Sequence, residues 1–210
     1  MKYTKEKIFS LLMLMISTLV IGQVDFDPTK LKRNTQFNKN TISHKDISIT
    51  IPIDWQLWSK NETEYLKSEL NKQSEYRMEF DYYLTLNSQE DYPNITVAIK
   101  ESEDFRNIPF NDFKNYFKEL YGQMTETVLD GMDSFITNHN DESFLVDEEN
   151  NRFFVKSTGT VANIGSVRSN SVIIMIEQYV ININYSNTLE QYDKFESALL
   201  IMANSIKIKK

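Results

Sequence analysis

The chain has no cysteine, and its 210 residues include only two histidines, five glycines and four prolines. Without cysteine there is no disulfide, no thiol nucleophile, no thiolate metal site and no lipid-modified export signal. The glycines stand apart from one another, so no glycine-rich loop can cradle a phosphate. No G-x-S-x-G elbow occurs, and no motif sets His44 or His139 beside a nucleophile. Positive charge is also scarce: 23 Lys and Arg face 30 Asp and Glu, a formal net charge of −7. Basic residues cluster only at Lys30–Arg33 and Lys207–Lys210. Such a chain suits neither nucleic acid nor an anionic lipid surface as a partner.

What is present begins with an address. Lys2, Lys5 and Lys7 precede Ile8–Ile21, a nearly continuous apolar run that falls short of the ~20 residues a spanning helix needs. This predicts a secretory signal over residues 1–22, cut near Gln23 after the small residues Val20 and Gly22. An uncleaved anchor is the alternative, and the only membrane contact expected. Loss of residues 1–22, which carry three Lys and one Glu, takes the net charge from −7 to −9. Residues 23–40 are polar without a period and read as a linker. Residues 41–210 hold enough apolar material for one core, hence a single domain, secreted or periplasmic.

Hydrophobic periodicity supplies the elements. Ile47, Ile49 and Ile51 alternate with Ser48 and Thr50, a half-buried strand that Pro52 ends. Trp55 and Trp58 follow, suited either to packing over a sheet edge or to an aromatic ligand platform. Asn61 and Glu64 have the spacing of a capping box, opening a short helix to Gln73. Residues 77–86 alternate as a long strand, and Ile95, Val97 and Ile99 form another. Phe113, Tyr116, Phe117, Leu120, Tyr121, Met124 and Val128 predict a helix over residues 110–129, packed on a sheet through its aromatic stripe. Short strands are expected at Ser134–Thr137 and Ser143–Val146 around a polar turn, Asn138–Glu142, with a longer one at Arg152–Val161. The run VIIMI within Ser171–Glu177 reads as a central strand covered on both faces. Gln178–Ser186 alternates again, and a helix from Leu189 to Asn204, capped by Thr188, precedes a strand-like SIKI. Strands, helix, strands and helix in this order predict an α+β fold with a mainly antiparallel sheet.

The segments ISITIPIDW, ITVAIKESE, RFFVKSTGT and VIIMIEQYVININYS, with the last helix running into SIKI, resemble PsbP-like domains over roughly Thr41–Ile208. The usual glycine before the tryptophan is replaced by Ile53–Asp54. The resemblance implies an α/β/α sandwich. It groups the chain with the lumenal PsbP subunit, periplasmic DcrB proteins, a Ran-binding import factor and chaperones of secreted effectors. Most characterised members bind proteins and are not enzymes, and they share no site whose residues could be matched here.

Candidate chemistry is sparse. His139 stands beside Asp141 and Glu142, and carboxylates gather at Glu101–Asp104 and Asp147–Glu149, but none has the spacing of a metal motif. Asn61 and Asn94 open glycosylation sequons. No catalytic, ligand-binding or metal residue is assigned and no cofactor is expected. The reading is an exported, non-enzymatic binding or accessory protein of the cell envelope, its partner another envelope or secreted protein. Two alternatives stand beside it. One is a small-molecule or lipid carrier, with a hydrolase behind it, whose pocket Trp55, Trp58 and tyrosines would line. The other is an immunity or chaperone protein of a secretion system.

Overall fold

A computed structural model describes residues 40–73, 79–86, 93–119, 136–161 and 165–209. The predicted signal, all of the predicted linker except Asn40, and the predicted helix beyond residue 119 lie outside the described residues.

The first strands form a small sheet. β1 (Thr41–His44) and β2 (Ile47–Thr50) make a hairpin across Lys45–Asp46, and β10 (Lys207–Ile208) adds to the other side of β2. Ile47 and Ile49 are fully buried, as their alternation predicts. β1 is an addition to the predicted elements. Its one fully buried residue, Ile42, gives no period to read.

The larger sheet runs β3-β4-β5-β9-β8-β7-β6, every pairing antiparallel. Its strands are β3 (Gln56–Leu57), β4 (Tyr82–Thr85), β5 (Asn94–Glu101), β6 (Ile136–Asp147), β7 (Arg152–Val161), β8 (Gly165–Ile176) and β9 (Tyr179–Thr188). Helices α1 (Lys60–Gln73), α2 (Glu103–Arg106) and α3 (residues 110–119) precede β6; α4 (Tyr192–Phe195) and α5 (Ser197–Asn204) follow β9.

Neighbouring residues of a strand point to opposite faces, so Ile173 and Ile174 mark the two sides of this sheet. On one side Ile174, Ile181 and Ile183 share a core with Ile47 and Ile49 of the small sheet and with Leu199 and Met202 of α5. On the other, Phe113 and Phe117 of α3 pack on Phe153, with ring centroids 6.1 and 4.4 Å apart. The result is the α+β sandwich expected, with the aromatic stripe on the sheet where it is described.

Four local expectations change. The predicted turn Asn138–Glu142 is part of the continuous strand β6, which absorbs its polar residues in two register shifts against β7. The strand predicted from residue 77 is regular only over Tyr82–Thr85, and residues 74–78 lie outside the described residues. α1 begins two residues early. Ser59 N–H donates to Glu62 Oε2 at 2.8 Å and Ser59 Oγ accepts from Glu62 N–H at 3.3 Å, so the capping box is Ser59–Glu62 and not Asn61–Glu64.

The helix predicted over Leu189–Asn204 breaks into a 3₁₀ turn, α4 and α5, and Thr188 makes no side-chain cap. Two buried side chains of β9 explain the break. Asn187 Nδ2 donates to Gln191 O (2.9 Å) and the Tyr185 hydroxyl to Tyr192 O (2.8 Å), drawing both carbonyls away from the helical ladder.

Candidate functional site

The feature best suited to binding lies at the β3–β4 edge of the large sheet. β3 delivers Leu57 and then Trp58, whose backbone N–H donates to Tyr83 O at 2.9 Å. The Trp58 indole N–H donates to Thr85 Oγ1 at 3.1 Å, and its ring meets Tyr83 edge-on at 4.7 Å. The first turn of α1 presents Lys60, Thr63 and Glu64, at i, i+3 and i+4, to the same place. Tyr82 opens β4, Asp81 immediately precedes it, and His44 comes from the end of β1. These eight residues enclose a cleft of about 300 Å³.

Leu57, Trp58 and Thr63 are buried and make its floor, while Lys60, Glu64 and Asp81 stand exposed on its rim. Tyr82 Oη donates to Ser43 O at 3.3 Å and lies 3.2 Å from His44 Nδ1. With the hydroxyl proton so placed, Nδ1–H is the donor to Tyr82 and Nε2 is left as a free acceptor. Burial, with the charge of Asp81, pushes the Tyr82 phenol above its usual value and keeps it a donor. Asp81 Oδ2 accepts from Ile99 N–H at 2.7 Å, and Glu64 pairs with Lys67 at 2.7 Å. Lys60 makes no ion pair among the described residues.

The two tryptophans therefore part company. Trp55 is core, edge-on to Tyr185 at 6.2 Å, and only Trp58 reaches the cleft. His44 ends β1 and lines the cleft. Three or four residues separate the helical contributors, but His44, Trp58 and Tyr82 are far apart in the chain, and no local signal joins them.

The carboxylate clusters go to structural work. Glu101 bonds to Lys45 and lies 3.4 Å from the Tyr179 hydroxyl, which also donates to Asp46. The Lys45 ammonium holds the Glu101 carboxyl below its ordinary range, and the bond to Asp46 pushes the Tyr179 phenol up to about 12. Together they tie the β1–β2 turn to the large sheet. Ser102 caps α2, with Glu103 and Asp104 in its first turn. Asp147 is lowered by Asn150 and Arg152, and Glu148 pairs with Lys114 at 2.8 Å. No group of three or more His, Cys, Asp or Glu among the described residues could hold a metal. His139 belongs to β6, and its side chain lies outside what is described. Asn94 is fully buried in β5, so the folded domain offers no glycosylation there.

A second surface lies at the opposite edge. Leu145 of β6 faces Phe154 of β7 in register and is 62% exposed. Across Phe154, α5 is pinned at both ends. Glu196 takes Lys156 (3.1 Å) and Asn170 (3.0 Å), and Asn204 accepts from Arg152 Nη1 (2.5 Å). Leu200 lies one turn from each pin. Leu200 and its neighbour Ile201 are 44% and 49% exposed. Burial alone would raise the Glu196 carboxyl, but Lys156, Asn170 and Tyr192 outweigh it, and Glu196 is held low and ionised. Leu145 of β6 and Leu200 of α5 are thus exposed apolar side chains, while Phe154, half-buried against the core, carries the Arg152 guanidinium 5.5 Å over its ring. Among the described residues no helix is long and apolar enough to cross a membrane.

No family model matches the chain, and no curated protein sequence does. Solved structures do. The chain is similar to cyanobacterial PsbP (CyanoP) from Synechocystis sp. PCC 6803, with 12% identity, 82% of this chain and 95% of that chain covered, and a TM-score of 0.46. It is similar to the Ran-binding protein Mog1p of Saccharomyces cerevisiae, with 15% identity, 81% and 95% covered, and a TM-score of 0.42. A third is LpqN of Mycobacterium tuberculosis, involved in cell envelope biogenesis, with 11% identity, 81% and 90% covered, and a TM-score of 0.38. The likeness is one of chain path alone. The solved structures to which this chain is similar thus include the PsbP that heads the group its sequence resembles.

Proposed function

We propose that this is an exported, non-enzymatic accessory protein of the cell envelope that works by binding another envelope or secreted protein. The observation that carries the reading is the exposure of Leu145 on β6 and of Leu200 and Ile201 on α5. Apolar side chains this exposed, on an edge strand and on a helix that Arg152 and Lys156 tie to β7, are the chemistry of a protein contact. The basic and apolar start of the sequence supports export, and the resemblance to PsbP-like domains supports a binding role.

The test is capture from the envelope fraction with the full chain and with Leu145→Glu and Leu200→Glu. Both sites are solvent-facing, so the fold should hold, as circular dichroism will show. Specific partners retained by the parent chain and lost by both variants support the reading. An identical set of captured proteins in all three samples overturns it.

A second reading, a small-molecule carrier, has one observation in its favour: Trp58 does wall a cleft, with Leu57 and Tyr82. At about 300 Å³ that cleft sits at the bottom of the ~300–1,000 Å³ range of ligand pockets and is too small for a lipid.

A further inference from the structure

The geometry points to the β3–β4 cleft as a binding site for a small zwitterion with an apolar side chain, of the α-amino acid class. The site is separate from the exposed apolar side chains of β6 and α5, and it stands or falls independently of the protein-binding reading.

Three properties of the cleft select this chemistry. Its volume admits a ligand of amino-acid size. Its floor, Leu57 and Trp58 beside the Tyr82 ring, is apolar and aromatic, which favours burying a hydrocarbon side chain. Its rim carries groups of both signs whose bonding capacity is not used up. Lys60 has an ammonium with no partner among the described residues. Asp81 uses Oδ2 on Ile99 N–H and keeps Oδ1, and His44 keeps Nε2 as an acceptor once Nδ1 faces Tyr82. Lys60 therefore takes a carboxylate, while Asp81 and His44 take an ammonium. Glu64, which pairs with Lys67 through Oε1, stands on the same rim and adds to the negative side that faces the ammonium, while Thr63 lies buried in the floor.

The capping box of α1 already uses the Ser59 and Glu62 N–H groups, so the rim side chains carry the selection. The ligand is selected by side chains from four elements, which explains why no sequence motif announces it.

The rim is exposed, so each charge contact is worth little. Losing one should weaken binding by about threefold to fivefold. The experiment is calorimetric titration of the full chain with L-phenylalanine and L-leucine. Alongside are 3-phenylpropanoate, which lacks the ammonium, and 2-phenylethylamine, which lacks the carboxylate. The same series is run on Lys60→Gln and Asp81→Asn. The expected result is saturable binding of both amino acids, with the two analogues weaker. Lys60→Gln should weaken phenylalanine but not 2-phenylethylamine, and Asp81→Asn should weaken phenylalanine but not 3-phenylpropanoate. That crossed pattern is something a merely loosened fold does not produce. Absence of saturable binding, analogues equal to the amino acids, or variants that weaken every ligand alike would overturn the assignment. Loss of partner capture in Leu200→Glu without loss of amino-acid binding would show the two sites to be independent.

Discussion

Replacing Trp58 by Phe isolates the bond that anchors the floor of the cleft. The indole N–H donates to Thr85 Oγ1 at 3.1 Å, and Thr85 is fully buried. Phenylalanine keeps the edge contact with Tyr83 but removes the donor. The stranded hydroxyl costs about 1–3 kcal/mol. The missing ring adds about 1 kcal/mol, a fraction of the ~3–5 kcal/mol of a Trp→Ala change. A loss of about 3 kcal/mol is therefore expected, read as a fall in the urea midpoint at constant m. At about 2–4 °C per kcal/mol for a domain of this size, melting should drop by about 6–12 °C. Adding Thr85→Val removes the orphaned hydroxyl with little change of shape, and the double variant should regain about 1 kcal/mol, because deleting both partners is cheaper than deleting one. A single substitution that costs under about 0.5 kcal/mol, or a double variant as unstable as the sum of the two singles, would refute the reasoning.

Three further outcomes follow from the structure. Ser59→Ala should cost about 1 kcal/mol and speed amide exchange across Lys60–Gln73, whereas Asn61→Ala, in the same first turn, should be within ~0.5 kcal/mol of the parent. Tyr179 has a folded-state pKa of about 12 against an ordinary 10.0, so its bond to Asp46 stabilises fully below pH 10 and is lost as pH rises through about 12. Alkaline unfolding over that window should flatten in Tyr179→Phe, and an unchanged profile would exclude the latch. Leu199→Ala, at a fully buried position of α5, should cost about 2–5 kcal/mol, while Leu200→Ala beside it should be close to neutral in denaturant melts.

Much of the chain path was legible where residues differ in kind along a single element. Ile47 and Ile49 declared β2, and VIIMI declared a strand buried on both sides. Phe113 and Phe117 declared the face of α3 that packs on the sheet. Legibility failed where a side chain from another element made the decision. Asn61 and Glu64 have the spacing of a capping box, but Glu62 is the carboxylate that sits buried against Ser59. The last helix has an adequate apolar period through Leu189, yet Leu189 is exposed and the helix breaks, because Tyr185 and Asn187 capture its carbonyls from the neighbouring strand. The cleft failed for the same reason: Lys60, Asp81 and His44 meet only after β1, α1 and β4 are assembled.

The sequence by itself determined the absence of thiol and phosphate-loop chemistry, the acidic balance, and the α+β order of strands and helices, because composition and period are properties of the chain. Only the tertiary structure decided what the polar half of each alternation does. In β9 the pattern Ile, Asn, Ile, Asn reads as one wet face, but Asn184 and Ser186 are fully buried. Register explains why. Gln56, Thr85, Asn94, Ser186, Ser169 and Ser157 stand opposite one another in a single row across six strands, and Ser169, Ser171, Asn184 and Ser186 bond together at 2.6–2.8 Å. A polar residue tolerates the interior when its neighbours across the sheet supply its hydrogen bonds. Those neighbours are set by strand pairing, which no single strand's sequence contains.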